Sequence, residues 1–313
     1  MKINIVKRIK SISALLLMSI VLFILASIVY DRFLTFANLT NLIRQASMMG
    51  LIAIGMTFVI LTGGIDLSVG STLALTGLLA AYFSKGSFIV AFFLPLLIGC
   101  GLGLINGLVI TRLHIIPMIA TLATQMGIRG IAYIISDVRT LPVDGNAAGL
   151  KYVGQGYFLG IPVPAIIFIF FIVVSIVISN KTRFGRSVYA VGGNAIAARF
   201  MGLKVRKTTA LCYVISGGLS ALAGVILAGR LSAGQAVAGM GYEMTAIAAV
   251  AIGGTYFTGG IGKFSGTFIA IIFIYLLSNV INLQGNINAW WQQIVTGFML
   301  LVVVVIHSQA KKK

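Results

Sequence analysis

The 313 residues are 59% hydrophobic and only 9% charged, with a mean hydropathy of +1.08. This composition excludes a soluble domain and predicts an integral membrane protein. The net charge of +18 would favour nucleic-acid binding in a soluble chain, but here the basic residues fall between apolar runs, as they do in cytoplasmic loops of membrane proteins. No nucleic-acid partner is therefore expected. Cys100 and Cys212 lie inside apolar runs, so neither a disulfide nor a thiolate metal site is expected.

Ten apolar runs follow one another along the chain, and each is a candidate membrane helix. They are Ile12–Tyr30, Ala46–Thr62, Ser71–Phe83, Phe88–Ile110, Met118–Ile135, Pro164–Ser179, Thr208–Gly229, Met244–Gly254, Phe264–Asn282 and Trp290–Ile306. The first run has the polarity of a signal sequence, but its length and the lack of a convincing cleavage site before Asp31 favour an uncleaved helix. Ser71–Phe83 and Met244–Gly254 are short for a span of about 20 residues, so we expect broken or tilted helices buried among their neighbours.

The distribution of basic residues supports this count, because each crossing changes the side of the membrane. With the N-terminus inside, the inner segments hold most of the 23 basic residues. The positive-inside rule thus favours an all-α polytopic protein with about ten transmembrane helices and both termini cytoplasmic. We expect a single transmembrane domain over residues 1–313, with a cytoplasmic loop over 180–207 and a turn-rich outer loop over 136–162.

The cytoplasmic loop carries seven basic residues, and its centre predicts a short helix. Asn194 is placed to cap the first turn, and Gly202 is placed to end the helix in the left-handed conformation. Ile196 and Phe200 lie four residues apart and share a face, with Arg199 beside them, so the helix presents an apolar knob with a charged flank. Two interpretations stand: a helix on the membrane surface, or a contact for a cytoplasmic partner, which we favour.

Two segments share a glycine pattern that predicts interrupted helices. In each, Thr-Gly-Gly-Ile is followed by Gly and Ala at the same spacing, with Gly63 and Gly64 in the first copy and Gly259 and Gly260 in the second. Such repeats are typical of transporters, in which half-helices meet around a central pathway. Paired glycines let the backbone bend, which is tolerated only against protein or a water-filled cavity. These four glycines are therefore gating or pathway candidates.

Two acidic residues are further gating or pathway candidates. Asp66 lies in the first glycine break, and a carboxylate near the bilayer centre costs about 2.5–3.5 kcal/mol on insertion scales, so it should face water or a partner. We favour a cap on the following helix, with amide hydrogen bonds near Ser68 and Val69, over a contact with a substrate or gate. Glu243 is the only glutamate and begins a helix, where its charge suits the helix dipole.

Four of these segments resemble one family. They are Gly55–Ser71 (GMTFVILTGGIDLSVGS), Thr182–Asn194 (TRFGRSVYAVGGN), Ala198–Leu203 (ARFMGL) and Gly239–Thr267 (GMGYEMTAIAAVAIGGTYFTGGIGKFSGT). They resemble the permease subunits of binding-protein-dependent ABC importers for sugars, including the ribose and galactofuranose permeases, and the likeness runs nearly the whole chain. The resemblance implies a permease that carries a galactofuranose-like or ribose-like monosaccharide across the bacterial inner membrane, with galactofuranose the first choice.

The resemblance also implies partners. The segment from Asn194 to Gly202 is similar to the coupling helix that docks on an ABC ATPase, which would bind ATP and Mg²⁺. An extracytoplasmic sugar-binding protein and a second permease, identical or homologous, complete the assembly. The chain departs from the family pattern at Ala195, where a Glu is usual, and at Thr245, where an Asp is usual. The string GGIGK ending at Lys263 lacks the spacing of a phosphate-binding loop, so we expect no bound cofactor, no ATP site and no enzymatic activity of its own.

Polar residues inside the apolar runs are candidates for the sugar path, although each also fits an interhelical hydrogen bond. They are Asn106, Thr121, Gln125, Asn279 and Asn282. His114 and His307 lack acidic or cysteine neighbours, so neither predicts a metal or catalytic site. An ion-coupled secondary transporter or channel remains the alternative, although its usual intrahelical ionisable residues are scarce here. An intramembrane enzyme would need a nucleophile with a base or a metal cluster, which the sequence lacks.

Overall fold

The computed structural model describes residues 2–285 and 290–312, most of which are helical. The helices are α1 (Lys2–Val29), α2 (Phe36–Leu61), α3 (Val69–Phe83), α4 (Phe88–Arg112), α5 (Pro117–Ser136), α6 (Ala148–Gln155), α7 (Val163–Lys181), α8 (Arg183–Gly193), α9 (Ala195–Phe200), α10 (Val205–Leu231), α11 (Tyr242–Ile252), α12 (Phe264–Leu283) and α13 (Trp290–Lys312). Strand β1 (Leu141–Pro142) pairs antiparallel with β4 (Ala233–Gly234), and β2 (Tyr157–Phe158) pairs antiparallel with β3 (Ile161–Pro162).

Every predicted apolar run lies on a helix of its own. Among the described residues, six helices are long and apolar enough to cross a membrane, namely α2, α4, α5, α7, α10 and α12. Shorter apolar stretches occupy parts of α1 and α13 and all of α3 and α11. The expectation of an all-α protein with several membrane helices is therefore confirmed. Residues 69–81 of α3 are all buried, as expected for a short helix enclosed by its neighbours.

Helix α10 is the centre of the bundle and contacts α2, α3, α4 and α6. Small residues allow this close packing: a Cβ atom on Gly103 of α4 would overlap the carbonyl oxygen of Tyr213 of α10. Three turns further along α10, a Cβ atom on Gly224 would overlap the carbonyl oxygen of Leu73 in α3. Helices that associate in lipid commonly pack through such small residues. The position of α3 therefore depends on α10.

Replacing Gly103 by alanine is expected to destabilise the protein by about 1–3 kcal/mol, because the new methyl group meets backbone atoms that cannot rotate away. Gly101→Ala is the matched control, since a Cβ atom there has no neighbour within 4 Å. Thermal unfolding in detergent measures both variants. Equal melting temperatures for the two would contradict the close contact between α4 and α10.

The segment 136–162, predicted to be an outer loop, is more ordered than its turn-rich composition indicates. It contains β1, β2, β3 and the helix α6, whose Leu150 is fully buried. A Cβ atom on Gly154 would overlap the backbone nitrogen of Arg230 in α10. Arg44 of α2 donates to the carbonyl oxygen of Gln155, and its guanidinium lies 4.5 Å from the centre of the Tyr157 ring. Contacts with distant helices therefore order this segment.

The segment 180–207, predicted to be a cytoplasmic loop, is likewise mostly helical. Thr182 caps helix α8, because its hydroxyl accepts a hydrogen bond from the Gly185 amide at 3.1 Å. Its buried side consists of Gly185, Val188 and Val191. This helix was not predicted, because its glycines are poor helix formers, and packing overrides that preference. As a result, α8 and α9 form a folded unit and not an open loop.

Candidate functional site

The short helix α9 begins and ends as the sequence predicts. The Asn194 side-chain oxygen accepts hydrogen bonds from the amides of Ile196 and Ala197, both at 3.0 Å. Gly202 follows the helix with a φ of +79°, a conformation that glycine adopts without strain. Both predicted ends are therefore confirmed, and the helix bounds are defined by local hydrogen bonds.

The outward face of α9 is apolar and open. Ile196 is 71% exposed and Phe200 is 88% exposed, while Arg199 beside them is also exposed. On the opposite face Ala198 is completely buried, which holds the helix against the rest of the chain. An exposed aromatic ring of this kind is a common anchor at protein interfaces. The geometry of the predicted knob is present, and its role as a docking site stays a prediction.

The two glycine breaks meet each other beside α8. We call this contact the glycine junction, formed by Leu61, Gly63, Gly192, Gly259 and Gly260. The amide of Gly260 donates to the carbonyl oxygen of Leu61 at 2.9 Å, and a Cβ atom on Gly259 would lie 2.9 Å from the Gly63 nitrogen. Gly192 of α8 fits against both breaks, since a Cβ atom there would overlap the Leu61 oxygen and the Gly260 nitrogen.

The two glycine breaks require glycine for two reasons, namely backbone conformation and space. Gly63, Gly259 and Gly260 have φ values of +82°, +80° and +69°, which L side chains rarely adopt. Gly64 is needed for space, because a Cβ atom there would overlap the hydroxyl of Tyr213. The predicted breaks in the helices are thus present, and they pack against protein, which is one of the two environments that tolerate such breaks in a membrane.

The junction connects directly to α9. Gly192 lies two residues before Asn194, so the contact with the breaks and the cap of α9 belong to one short piece of backbone. A second contact comes from Tyr189 of α8, whose hydroxyl donates to the carbonyl oxygen of Gly262 at 3.1 Å. The cap of α9 and the contact with both breaks are therefore separated in the chain only by Gly193.

Asp66 lies in the first break and is almost fully buried, with 1% of its surface exposed. One carboxylate oxygen accepts hydrogen bonds from the Ser68 amide at 3.0 Å and the Ser68 hydroxyl at 2.6 Å. The other accepts from the hydroxyl of Ser216 in α10 at 2.8 Å. The predicted amide contact at Ser68 is present, while no side chain caps α3. Asp66 therefore links the break to α10.

Two of the predicted path residues surround the same break. Asn106 of α4 donates to the Ser68 hydroxyl at 2.9 Å. The Thr121 hydroxyl of α5 accepts from the Leu67 amide at 3.1 Å, and its proton is shared between the carbonyl oxygens of Pro117 at 2.9 Å and Ile65 at 3.2 Å. Both side chains are buried and hold backbone or side-chain groups of the break. These contacts position the break between α2 and α3.

Glu243 belongs to a second polar cluster. It lies in the first turn of α11, as predicted, and is buried. The Gln125 amide of α5 donates to one of its oxygens at 3.4 Å, and a Cβ atom on Gly70 would lie 2.6 Å from the other oxygen. One turn further along α5, Arg129 donates to the carbonyl oxygens of Ala236 and Ala238, the latter at 2.8 Å. Arg129 was not predicted, although a lone arginine inside an apolar run indicates such a buried contact.

The remaining path candidates lie elsewhere. Asn279 of α12 exchanges hydrogen bonds with Asn38 of α2 at 2.7 and 3.0 Å, and Asn282 is exposed near the end of α12. The five predicted polar residues therefore do not converge on one pocket. Thr245, where the chain departs from the family pattern, follows the first turn of α11 and is partly buried. Within the described parts of the chain, no three metal-ligating side chains come together.

Comparison with known proteins places the chain in a family. Residues 38–304 match the family described as "Branched-chain amino acid transport system / permease component". The ribose import permease protein RbsC of Bacillus subtilis is 46% identical over 291 residues, which cover 92% of this chain and 90% of that protein. RbsC of Escherichia coli K12 is 38% identical over 305 residues, covering 96% and 93%.

The L-arabinose transport system permease protein AraH of Escherichia coli K12 is 37% identical over 300 residues, covering 93% of this chain and 89% of that protein. No solved structure matches the chain. The likeness to the relatives extends over the helices of the bundle, both glycine breaks and the α8–α9 unit. The chain therefore belongs to this family of permease components. Its sugar permease relatives confirm the predicted resemblance to the permeases of sugar ABC importers.

Proposed function

We propose that this chain is the membrane-spanning permease subunit of an ABC importer that moves a monosaccharide across the bacterial inner membrane. ATP and Mg²⁺ would be bound by a partner ATPase. Relatives that cover about nine-tenths of the chain are named for ribose and L-arabinose, both pentoses. The family description names branched-chain amino acids, but these relatives favour a sugar. We place a ribose-like pentose first and a galactofuranose-like sugar second.

The proposal includes a topology. Ten helices cross the membrane as a single permease domain over residues 1–313, and both termini are cytoplasmic. The basic unit 180–207 then lies inside and the segment 136–162 lies outside, in agreement with the positive-inside rule. The sugar-binding protein would deliver its ligand to the outer segment. A second permease, identical or homologous, would complete the pathway.

One observation carries the proposal: the exposed apolar knob of α9 adjoins the glycine junction, which contacts both interrupted helices, at the end of the bundle that the proposed topology places in the cytoplasm. An ATPase that closes on ATP would move α9, and Gly192 would pass that movement to the breaks after α2 and α11. The breaks would then alternate access to the pathway. The knob and junction thus supply the connection that a chain without its own ATP site requires.

The alternative is an ion-coupled secondary transporter or channel. Asp66 and Glu243 are the observation in its favour, because buried acids are common in ion pathways. Asp66, however, accepts three short hydrogen bonds that hold it in place, which fits a structural role better than ion exchange. The alternative also leaves the exposed α9 without a partner.

Affinity purification of the chain from its own membranes in mild detergent, followed by mass spectrometry, tests the proposal. We expect an ABC ATPase to accompany the parent protein and to fall at least about tenfold in Phe200→Asp, since a lost aromatic anchor costs about 2 kcal/mol or more. Leu159→Asp is the matched control, because Leu159 is 88% exposed like Phe200 but lies in the outer segment.

Either of two results would contradict this proposal. The first is the lack of any ATPase after gentle cross-linking, which would favour the ion-coupled carrier. The second is equal ATPase recovery with Phe200→Asp and Leu159→Asp, which would move the docking site away from α9. Any second permease in the sample distinguishes a homodimer from a heterodimer.

A further inference from the structure

A cavity of about 530 Å³ opens between α2, α11, α12 and α13. Its lining includes Gln45 of α2, Thr245 of α11, Tyr275 of α12 and Gln293 of α13. Small-molecule pockets usually measure about 300–1,000 Å³, so this cavity has the size of a binding site. None of the residues predicted for the sugar path contributes to it.

The cavity lies at the end of the bundle far from α9. Gln45 is in the third turn of α2, and Tyr242 and Gln293 lie in the first turns of α11 and α13. Helix α2 runs on from Gln45 to Leu61 at the glycine junction, a distance of about 24 Å at 1.5 Å per residue. In the proposed topology the cavity is therefore on the outer side, where a transported molecule arrives.

The polar lining consists of uncharged groups. Two amides, from Gln45 and Gln293, face a lining that also includes the hydroxyl-bearing side chains of Thr245, Thr296 and Tyr242. Amides and hydroxyls both donate and accept hydrogen bonds, so they match the hydroxyl groups of a sugar. Four apolar side chains supply a surface for the carbon face of the ring. They are Met49, Met240, Met244 and Leu300.

The lining also bears on which ligand fits. The described lining residues include no Asp, Glu, Lys, Arg or His. Arg230 interacts electrostatically with Tyr242 and Tyr275 but does not line the cavity. An amino acid carries both an ammonium and a carboxylate group, and burying them without charged partners is costly. A neutral ligand loses much less solvation free energy on entering the cavity, because amides and hydroxyls can replace its hydrogen bonds to water.

We propose that this cavity binds a neutral, polyhydroxylated molecule of monosaccharide size as it enters the permease from outside. The inference rests on the proposed function, because it locates within this chain the site that holds the transported sugar. Weak binding is sufficient at such a site, since the sugar must leave again. Thr245 and Gln293, on α11 and α13, are the side chains best placed to report on occupancy.

Protection of introduced cysteines measures this occupancy. Thr245→Cys and Gln293→Cys are made in the full chain, and the parent protein with its two native cysteines provides the background. A membrane-impermeant maleimide is added to the purified importer in liposomes, with D-ribose, L-arabinose or L-leucine as the probe. Ser87→Cys, at an exposed position between α3 and α4 and outside the cavity lining, is the control.

We expect one of the pentoses to slow labelling at both cavity positions by the factor 1 + [L]/Kd, which is about threefold at twice Kd. L-leucine should leave the rate unchanged, and so should any probe at Ser87→Cys. Protection by L-leucine alone, or equal protection at Ser87→Cys, would overturn the inference.

Uptake of the same pentoses into the liposomes, measured in parallel with the binding protein present, separates the two proposals. If a pentose is transported while neither cavity cysteine is protected at saturating sugar, the cavity inference fails and the permease function stands. If no pentose is transported and L-leucine is, the sugar function fails as well.

Discussion

Replacement of Gly192 by alanine is expected to reduce uptake at least about tenfold, while the same replacement at Gly193 leaves uptake intact. A methyl group on Gly192 overlaps the carbonyl oxygen of Leu61 and the nitrogen of Gly260, both of which are backbone atoms. The glycine junction must therefore open, at a cost near the upper end of about 1–3 kcal/mol. A methyl group on Gly193 has no neighbour within 4 Å.

The two variants form a matched pair, since they change adjacent residues at the end of α8 by the same single carbon. Alanine at Gly193 also favours the helix by up to about 1 kcal/mol. Uptake and the melting temperature in detergent should both fall for Gly192→Ala only. ATPase activity stimulated by the binding protein should fall with uptake. If uptake and stimulated ATPase activity are the same in Gly192→Ala and Gly193→Ala, the movement of α9 does not pass through the contact at Gly192.

The second large effect is expected at Asp66. In Asp66→Ala, the Ser68 amide and the Ser216 hydroxyl lose their buried acceptor, and each buried donor left unsatisfied costs about 1–3 kcal/mol. Removal of the buried carboxyl group, which is itself costly to desolvate, offsets part of this loss, so we expect a net destabilisation of about 2–3 kcal/mol. Asp31→Ala, at an exposed position, should change the stability very little.

Asp66→Asn distinguishes a structural role from ion coupling. Its oxygen can still accept from Ser68, and its amide can donate to the Ser216 hydroxyl, which rotates to accept. We therefore expect Asp66→Asn to retain most of the stability and most of the uptake. An ion-coupled carrier would lose uptake in Asp66→Asn even though the protein stays folded. Thermal unfolding and uptake measured on the same preparations separate these outcomes.

The parts of the site that depend on neighbouring residues were predictable from the sequence. Asn194 caps α9 and Gly202 ends it, and both act within a few residues of the helix. The apolar runs predict the helices for the same reason, because a stretch of about 20 apolar residues in a membrane has few other structures available. The position of Glu243 in the first turn of α11 was predictable for the same reason, because the start of a helix depends on nearby residues.

Contacts between distant segments were not predictable. The sequence marks Gly63 and Gly260 as unusual, but it does not indicate that they meet, or that Gly192 lies against them. Of the five polar residues predicted in apolar runs, Asn106 and Thr121 are buried and make contacts between segments, whereas Asn282 is exposed. The sequence does not indicate their partners, nor that Ser216 of α10 is a partner of Asp66. Helix α8 was missed because its glycines suit close packing against the breaks, a benefit that helix propensity does not include.

The central place of α10 has a consequence for how the protein is made. Its neighbours α3 and α4 end at Phe83 and Arg112, but α10 does not begin until Val205. At about 5–20 residues per second, the ribosome needs on the order of ten seconds to pass from the end of α4 to the start of α10. During that interval the glycine-lined faces of α3 and α4 have no helix to cover them. Membrane insertion therefore has to precede assembly, and the inserted early helices wait in the bilayer for the second half of the chain.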